Sequence, residues 1–323
     1  MSDSLRPMRP IQRHPFVEEV LPVSGGPHGH PHAHPKPSAK PCAGGGLHSD
    51  ARVKSYVHGF KTLQKQWPTL SPDQRRQRVQ SLANTQLRAS GSPALTFREY
   101  KPPPGTAGEL DFTHWTMKIS DSYMGASGPQ AHQLSDWDAK VLAAAVYHES
   151  RHSEQWYMAA RKRAADLQAA GGLTPQKMAQ KMAQEMTIPL PIAQQAQKHP
   201  IPKNSPLAPC AQQIYDSIYG THTAARNATL NHRSQENVVL DNAQKQAAAA
   251  QAKLAADQKA GHPNPALLQH DAALLHQAQA HLVNVQHQAD LAKAAYQALP
   301  EEADAYDTGH QVEKAWDGKL LQY

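Results

Sequence analysis

A long segment without helix-breaking residues most constrains what this chain can fold into. Ser135-Asp136-Trp137-Asp138 predicts a helix start with an N-cap and an acidic first turn, and Gly171-Gly172 predicts the helix end. The residues between them contain no Pro or Gly and are rich in Ala, Leu, Gln and Lys, which predicts a helix of about ten turns. The apolar side of this helix is formed by Val141, Leu142, Ala145, Val146 and Ala159.

The middle of this helix contains His148-Glu149-Ser150-Arg151-His152. An HExxH pattern on a helix places two imidazoles one turn apart on the same face, with a carboxylate beside the first. This geometry suits one zinc ion, since it offers two nitrogen ligands, an open position for water and a base for the proton of that water. The alternative is a solvated helix face with incidental histidines, because the chain has 20 histidines in 323 residues. The added Glu149 and the helical setting favour a metal site.

A catalytic zinc usually requires a third protein ligand, and the chain offers two candidates. Glu302 lies in the run LPEEADAY, where Pro300 suits the first turn of a helix and the helix dipole favours acidic residues. An ordinary helix start is the alternative interpretation of this run. The second candidate is Asp216, in the run DSIYG. Glu302 is the preferred ligand, and Asp216 is an alternative ligand or a residue that orients one.

The HExxH motif and the LPEEADAY run resemble the gluzincins, the thermolysin-like group of zinc peptidases. In that group a Glu on a later helix completes the site and is followed at set intervals by a small residue, an Asp and a Gly. Ala305 and Gly309 match this pattern after Glu302, whereas Tyr306 stands in place of the Asp that orients a zinc-binding histidine. The resemblance implies Glu302 as the third ligand, with Asp304 or Asp307 replacing the missing Asp.

The DSIYG run resembles half of the aspzincin signature, in which the Asp is a zinc ligand and the Tyr stabilises the oxyanion. Gln213-Ile214 replaces the Gly-Thr that precedes it in that family, and the separation from His152 is much longer. This resemblance implies Tyr219 as a donor of a hydrogen bond to the tetrahedral oxyanion. Packing in the core is the alternative role for Tyr219.

The predicted fold is α+β and predominantly helical, with a zincin-like domain, a small β-sheet and a long helical hairpin. We expect a disordered tail rich in His, Pro and Gly over residues 1–50, a helical arm over 51–92 and a zincin-like core over 93–222. A Gln/Ala-rich helical hairpin is predicted as an insertion over 223–299, and a C-terminal helix over 300–323 completes the site.

Two strands are predicted within the core, at residues 94–100 and 111–119, on either side of the turn-rich run KPPPGTAGE. The strand around Trp115 is expected to align a peptide substrate. The second helix of the hairpin has a heptad pattern, formed by Leu268, Leu275, Leu282, Ala289 and Tyr296. This pattern predicts close antiparallel packing, with a coiled-coil dimer arm as the alternative.

Composition excludes several partners. The net charge is +6, but Lys and Arg are scattered and aromatics make up only 6% of the chain, so a nucleic-acid partner is not expected. No apolar run approaches the roughly 18 residues that span a membrane. The two cysteines, Cys42 and Cys210, are too few for a disulfide framework and lack the spacing of a CxxC zinc site. The alternating His28, His30, His32 and His34 belong either to a flexible tail or to a metal-loading or targeting arm.

The N-terminus lacks the continuous apolar region of a secretory signal peptide, so we expect synthesis in the cytoplasm, with export by a dedicated machine left open. The HESRH-x-EQ pattern also resembles metallopeptidase-like domains of bacterial polymorphic toxins and of contractile injection system cargo. This resemblance implies an exported effector with a secretion or injection apparatus as partner.

The predicted function is a zinc metallopeptidase acting on protein or peptide substrates. The alternatives are a non-catalytic structural or cargo protein that uses the hairpin for interaction, and a zinc hydrolase of a non-peptide bond.

Overall fold

The computed structural model describes residues 46–101, 107–125, 133–259 and 264–319. The predicted tail, with its alternating histidines and Cys42, therefore lies outside the described residues up to position 45. Residues 46–50 are described, and they correct the expected end of the tail. Gly46–His48 forms a 3-10 turn whose Leu47 is fully buried, and α1 begins at Asp50, because this segment packs against the core instead of remaining solvated.

The chain is mainly helical with one small sheet, as its sequence predicts. The elements are α1 (Asp50–Gln66), α2 (Pro72–Ala89), β1 (Thr96–Tyr100), β2 (Gly108–Asp111), β3 (Thr116–Ser120), α3 (Asp121–Met124), α4 (Asp136–Ala170), α5 (Pro175–Met186), α6 (Leu190–Lys198), α7 (Ala208–Ile218), α8 (Thr223–Gln258), α9 (Pro265–Gln297) and α10 (Pro300–Trp316). They form two compact units, one with α1 to α7, the sheet and α10, and the other with α8 and α9.

Helix α4 is the centre of the first unit. Its start is fixed by Ser135, whose hydroxyl accepts a hydrogen bond from the Asp138 backbone N–H at 3.0 Å, and Gly171 ends it with a positive φ of 69°. Every residue from 142 to 160 is buried, including the polar ones, so this part of the helix is covered on all sides. Helices α1, α2, α5, α6, α7 and α10 and strands β2 and β3 supply that cover.

The sheet has the strand order β1-β3-β2, with β1 parallel and β2 antiparallel to the central β3. The prediction of one strand over 111–119 is wrong, because residues 112–115 form a turn and Trp115 has a positive φ of 54°. Asp111 stabilises this turn, since its Oδ1 accepts hydrogen bonds from the Thr113 hydroxyl at 2.6 Å and the His114 N–H at 3.3 Å. The strand missed by the sequence prediction, β2, is an edge strand.

The second unit is an antiparallel pair of long helices. Its apolar seam contains Leu240 and Ala243 of α8 with Val285 and Ala289 of α9, and Leu282 packs beside them. Several predicted heptad positions of α9 thus face α8. The Arg233 guanidinium lies 3.8 Å from the centroid of the Tyr296 ring near one end of the pair. Neither of these helices, nor any other in the described ranges, is long and apolar enough to cross a membrane.

Candidate metal centre

Three side chains from two helices converge in the core of the first unit. His148 and His152 project from successive turns of α4, and Glu302 projects from the first turn of α10. Glu302 Oε2 lies 3.3 Å from His152 Nε2 and 3.9 Å from His148 Nε2. The exposed fractions of the two histidines and the glutamate are 3%, 5% and 0%. Across the described parts of the chain, this is the group of His, Cys, Asp and Glu residues whose ligand atoms are close enough to hold a metal ion.

The donor set and its spacing fit a zinc ion. Zinc is commonly bound by imidazole nitrogens and carboxylate oxygens at about 2.0–2.1 Å, so two ligands of a tetrahedral site are about 3.4 Å apart. The nitrogen-to-oxygen distances of 3.3 and 3.9 Å are close to this separation. A fully buried carboxylate also requires a nearby positive charge to offset its lost hydration. A divalent cation between Glu302 and the two imidazoles would fit this spacing and supply the positive charge.

Each of the two histidines is also hydrogen-bonded to a residue other than Glu302. The His148 ring is hydrogen-bonded to the backbone of Ala305, and the ring of Tyr306 packs edge-on against it with centroids 4.7 Å apart. His152 Nδ1 lies 2.8 Å from Gln155 Oε1. These contacts leave the Nε2 atom of each ring facing Glu302, which is the arrangement that metal-binding histidines use.

The electrostatics of the two histidines differ. Burial and the neighbouring His152 lower the pKa of His148 to about 3. Burial also opposes protonation of His152, but the Glu302 carboxylate outweighs it and raises the pKa of His152 to about 10. Without metal, the pair of His152 and Glu302 therefore retains a proton. A metal cation bound there would replace this proton as the charge that offsets the buried carboxylate.

The Glu149 side chain extends from α4 to the edge strand β2. Its Oε2 accepts a hydrogen bond from the Leu110 backbone N–H at 2.8 Å. Glu149 lines a cavity of about 10 Å³, together with Leu110, Phe112, His152 and Trp156. This volume is near the lower limit for one water molecule, so the cavity places a water-sized space beside both a candidate base and a candidate ligand.

The Asp304 carboxylate links α10 to the back of the HExxH helix. It accepts hydrogen bonds from Arg151 Nε and from Gln155 Nε2, each at 2.7 Å. Burial opposes its ionisation, but Arg151 and His48 hold the pKa of Asp304 well below its usual range. Asp304 is thus linked to His152 through the side-chain amide of Gln155. Asp307, the other predicted replacement for the Asp of the gluzincin pattern, lies 3.3 Å from His48 Nε2.

The residues predicted from the DSIYG run lie elsewhere. The Tyr219 hydroxyl donates a hydrogen bond to the Met186 carbonyl at 2.9 Å, and Asp216 accepts one from Gln212 at 2.8 Å. Asp216 is not a member of the three-residue group. Helix α7 instead contributes Ser217, whose hydroxyl donates to Glu301 Oε2 at 2.6 Å and so ties the end of α7 to the start of α10.

Sequence reasoning assigned no role to Ser217 or Gln155. Gln155 shares the stripe of His148 and His152 on α4, and this spacing was the signal that could have identified it. Ser217 has no comparable signal, because its partner is 84 residues away in the sequence.

Comparison with protein-family models, with curated proteins and with solved structures gives no match for this chain.

Proposed function

We propose that this protein is a zinc-dependent metallopeptidase with a zincin-like site. The observation that carries the proposal is the convergence of His148, His152 and Glu302 beside the carboxylate of Glu149. Two of these residues come from an HExxH helix, and the third comes from a helix 150 residues downstream of His152. A buried set of two imidazoles and one carboxylate leaves room for a substrate or water as the fourth ligand of zinc.

Zinc bound by these three residues would polarise the scissile carbonyl and lower the pKa of the attacking water. Glu149 has the position of the general base, because this residue lines the water-sized cavity beside His152 and its charge acts on that histidine. The hydrogen bond from the Leu110 N–H holds that carboxylate at the cavity wall. Glu149 would take a proton from the water and return it to the departing amine.

The substrate is proposed to pair with β2, which replaces the strand around Trp115 in this role. Strand β3 pairs with one edge of β2, and no described strand pairs with the other. The backbone N–H of Leu110 points from that outer edge toward Glu149, so an extended peptide added there would pass beside the base. The cavity must widen for this, and Phe112, whose ring packs 5.4 Å from that of Trp156, lies in the turn that would have to move.

Zinc content and cleavage of a mixture of unstructured peptides test this proposal together. Glu149→Gln should retain stoichiometric zinc and lose cleavage by about 10²–10⁴-fold, since general base catalysis contributes about that much. His152→Ala should lose both zinc and cleavage. Glu185→Gln is a matched control, because Glu185 on α5 pairs with Arg163 and Lys181 and with none of the candidate metal ligands. Cleavage by Glu149→Gln at the wild-type rate would refute the mechanism.

A second candidate is a non-catalytic structural or cargo protein in which the metal only stabilises the fold. The observation that favours it is the burial of the site, because a cavity of about 10 Å³ admits water but no peptide. The long helices α8 and α9 would then mediate assembly, and they expose Val238, Val283 and Leu291. Stoichiometric zinc without any cleavage, in a protein that forms a stable oligomer, supports this candidate. Export as a bacterial effector is compatible with either function and rests on the resemblance of the motif.

A further inference from the structure

We infer that Gln155 is a positioning residue that sets the metal-binding tautomer of His152 and fixes the distance between this histidine and Glu302. The inference rests on the proposed metal site and adds a residue to it. Gln155 is fully buried on α4, three residues after His152. Both ends of its side-chain amide are hydrogen-bonded, one end to His152 and the other to α10.

The partners of Gln155 determine which way its amide points. Its Nε2 donates to the Glu301 carbonyl oxygen at 2.8 Å and to Asp304 Oδ2 at 2.7 Å. A backbone carbonyl and an ionised carboxylate only accept hydrogen bonds, so this end of the amide must be the NH₂ group. The carbonyl end, Oε1, therefore faces His152 Nδ1 at 2.8 Å.

This orientation fixes the proton on His152. An amide oxygen only accepts, so the hydrogen bond with Gln155 requires the proton on Nδ1. The lone pair of neutral His152 is then on Nε2, which lies 3.3 Å from Glu302 Oε2. Neutral imidazole binds zinc through the nitrogen that carries no proton, so the tautomer imposed by Gln155 is the one required at this site.

The same amide also holds the third ligand in place. Glu301 and Asp304, the two residues of α10 that accept from Gln155, lie on either side of Glu302 in the sequence. A side chain of α4 is thus hydrogen-bonded to the turn of α10 that carries Glu302. Loss of these bonds should weaken zinc binding even with all three ligands present. Removal of such outer partners typically lowers metal affinity by about 10–100-fold.

Gln155→Met tests the inference, because Met has a similar length but neither accepts from Nδ1–H nor donates to Asp304. Gln168→Met is the matched control on the same helix, since Gln168 is exposed and donates to the Gln197 carbonyl at 3.1 Å. Zinc affinity is measured on the full chain by competition with a chromophoric chelator. The ¹⁵N chemical shifts of the His152 ring report its tautomer in the same samples.

Gln155→Met should bind zinc about 10–100-fold more weakly than wild type, and its zinc-loaded His152 should no longer be bound uniformly through Nε2 with the proton on Nδ1, while Gln168→Met changes neither. Gln155→Glu keeps an acceptor for Nδ1–H and should bind zinc more tightly than Gln155→Met; this comparison remains informative if the Met variant fails to fold. Wild-type zinc binding with unchanged affinity and tautomer in the Gln155 variants overturns the inference and leaves the proposed function standing. Absence of stoichiometric zinc binding in wild type overturns the proposed function as well.

Discussion

Replacement of Asp304 by Asn should destabilise the first unit substantially, because it breaks a buried ion pair. Asp304 is 2% exposed, and Arg151, its partner at 2.7 Å, is also 2% exposed. Removing one member of such a pair leaves the other charge buried without its full complement, which costs about 3–5 kcal/mol. The low end applies here, because the Asn side-chain oxygen still accepts one hydrogen bond and Glu154 remains beside Arg151.

The expected loss of about 3 kcal/mol corresponds to a fall in melting temperature of about 6–12 °C for a domain of 150–250 residues. Thermal unfolding followed by circular dichroism in the presence of EDTA measures it, since chelation removes the separate contribution of metal binding. Asp307→Asn is the matched control on the same helix. The Asp307 side chain is 34% exposed, so the loss of stability in this variant should stay within about 1 kcal/mol.

The pH dependence provides an independent check on the same residue. The pKa of Asp304 in the folded protein lies below its ordinary value of 3.8, so its contribution to stability is complete above that value and is lost as the pH falls further. Wild type should therefore lose stability relative to Asp304→Asn as the pH drops below 3.8. A melting temperature of Asp304→Asn within about 2 °C of wild type at neutral pH, which is under 1 kcal/mol, would refute the buried pair.

Two further predictions concern how other segments reach the site. Gly46→Ala should lower the free energy of unfolding by about 1–3 kcal/mol in urea titrations. The reason is that a Cβ at Gly46 would lie 2.2 Å from Glu154 Oε1, on a residue with a φ of +69°. A variant as stable as wild type would show that Gly46 does not pack against Glu154. Replacement of residues 223–298 by a short Gly/Ser linker should preserve zinc affinity, because the 2.6 Å hydrogen bond between Ser217 and Glu301 already holds the end of α7 beside α10. Loss of zinc binding in a folded linker variant would contradict that reasoning.

The HExxH helix could be predicted from the sequence because its determinants are local. Ser135 caps the helix through the N–H of Asp138, three residues away, and Gly171 ends it with a positive φ of 69° that other residues adopt with strain. Neither feature depends on distant parts of the chain. The predicted bounds of α4 therefore agree with the structure, and its HExxH residues share one face as the helical period requires.

The sheet was predicted less well because its pairing is not local. Strand β2 has only four residues and includes Gly108, which disfavours a strand when judged alone. Its ladder with β3 and its hydrogen bond to Glu149 stabilise it, and neither partner can be recognised in the sequence of the strand. The turn at residues 112–115 depends on hydrogen bonds to the Asp111 carboxylate, which a pattern of alternating apolar residues does not reveal.

The buried partners of Arg151 and Gln155 were likewise beyond the reach of the sequence. Both residues look like ordinary polar positions of a helix, and both bond to a carboxylate on a helix about 150 residues away. Their burial follows from the cover on all sides of α4, which no local pattern predicts. Polar residues buried in this way are retained where their hydrogen bonds are satisfied, and here the satisfied bonds lead to the candidate ligands.

Glu302 could be selected from the sequence because the residues after it have physical tasks that the structure displays. Ala305 supplies the backbone hydrogen bond to the His148 ring, and Gly309 lies against α4, where a Cβ would make an ordinary contact 3.6 Å from the His148 Cβ. Tyr306, in the position of the expected Asp, packs against the His148 ring and adds no charge. The carboxylate that supports a histidine is instead Asp304, which acts on His152 through a neutral amide. Because a carboxylate that contacts a histidine directly would raise its basicity more than an amide does, the amide of Gln155 orients the His152 ring and leaves Glu302 as the charge that would attract a cation to the candidate site.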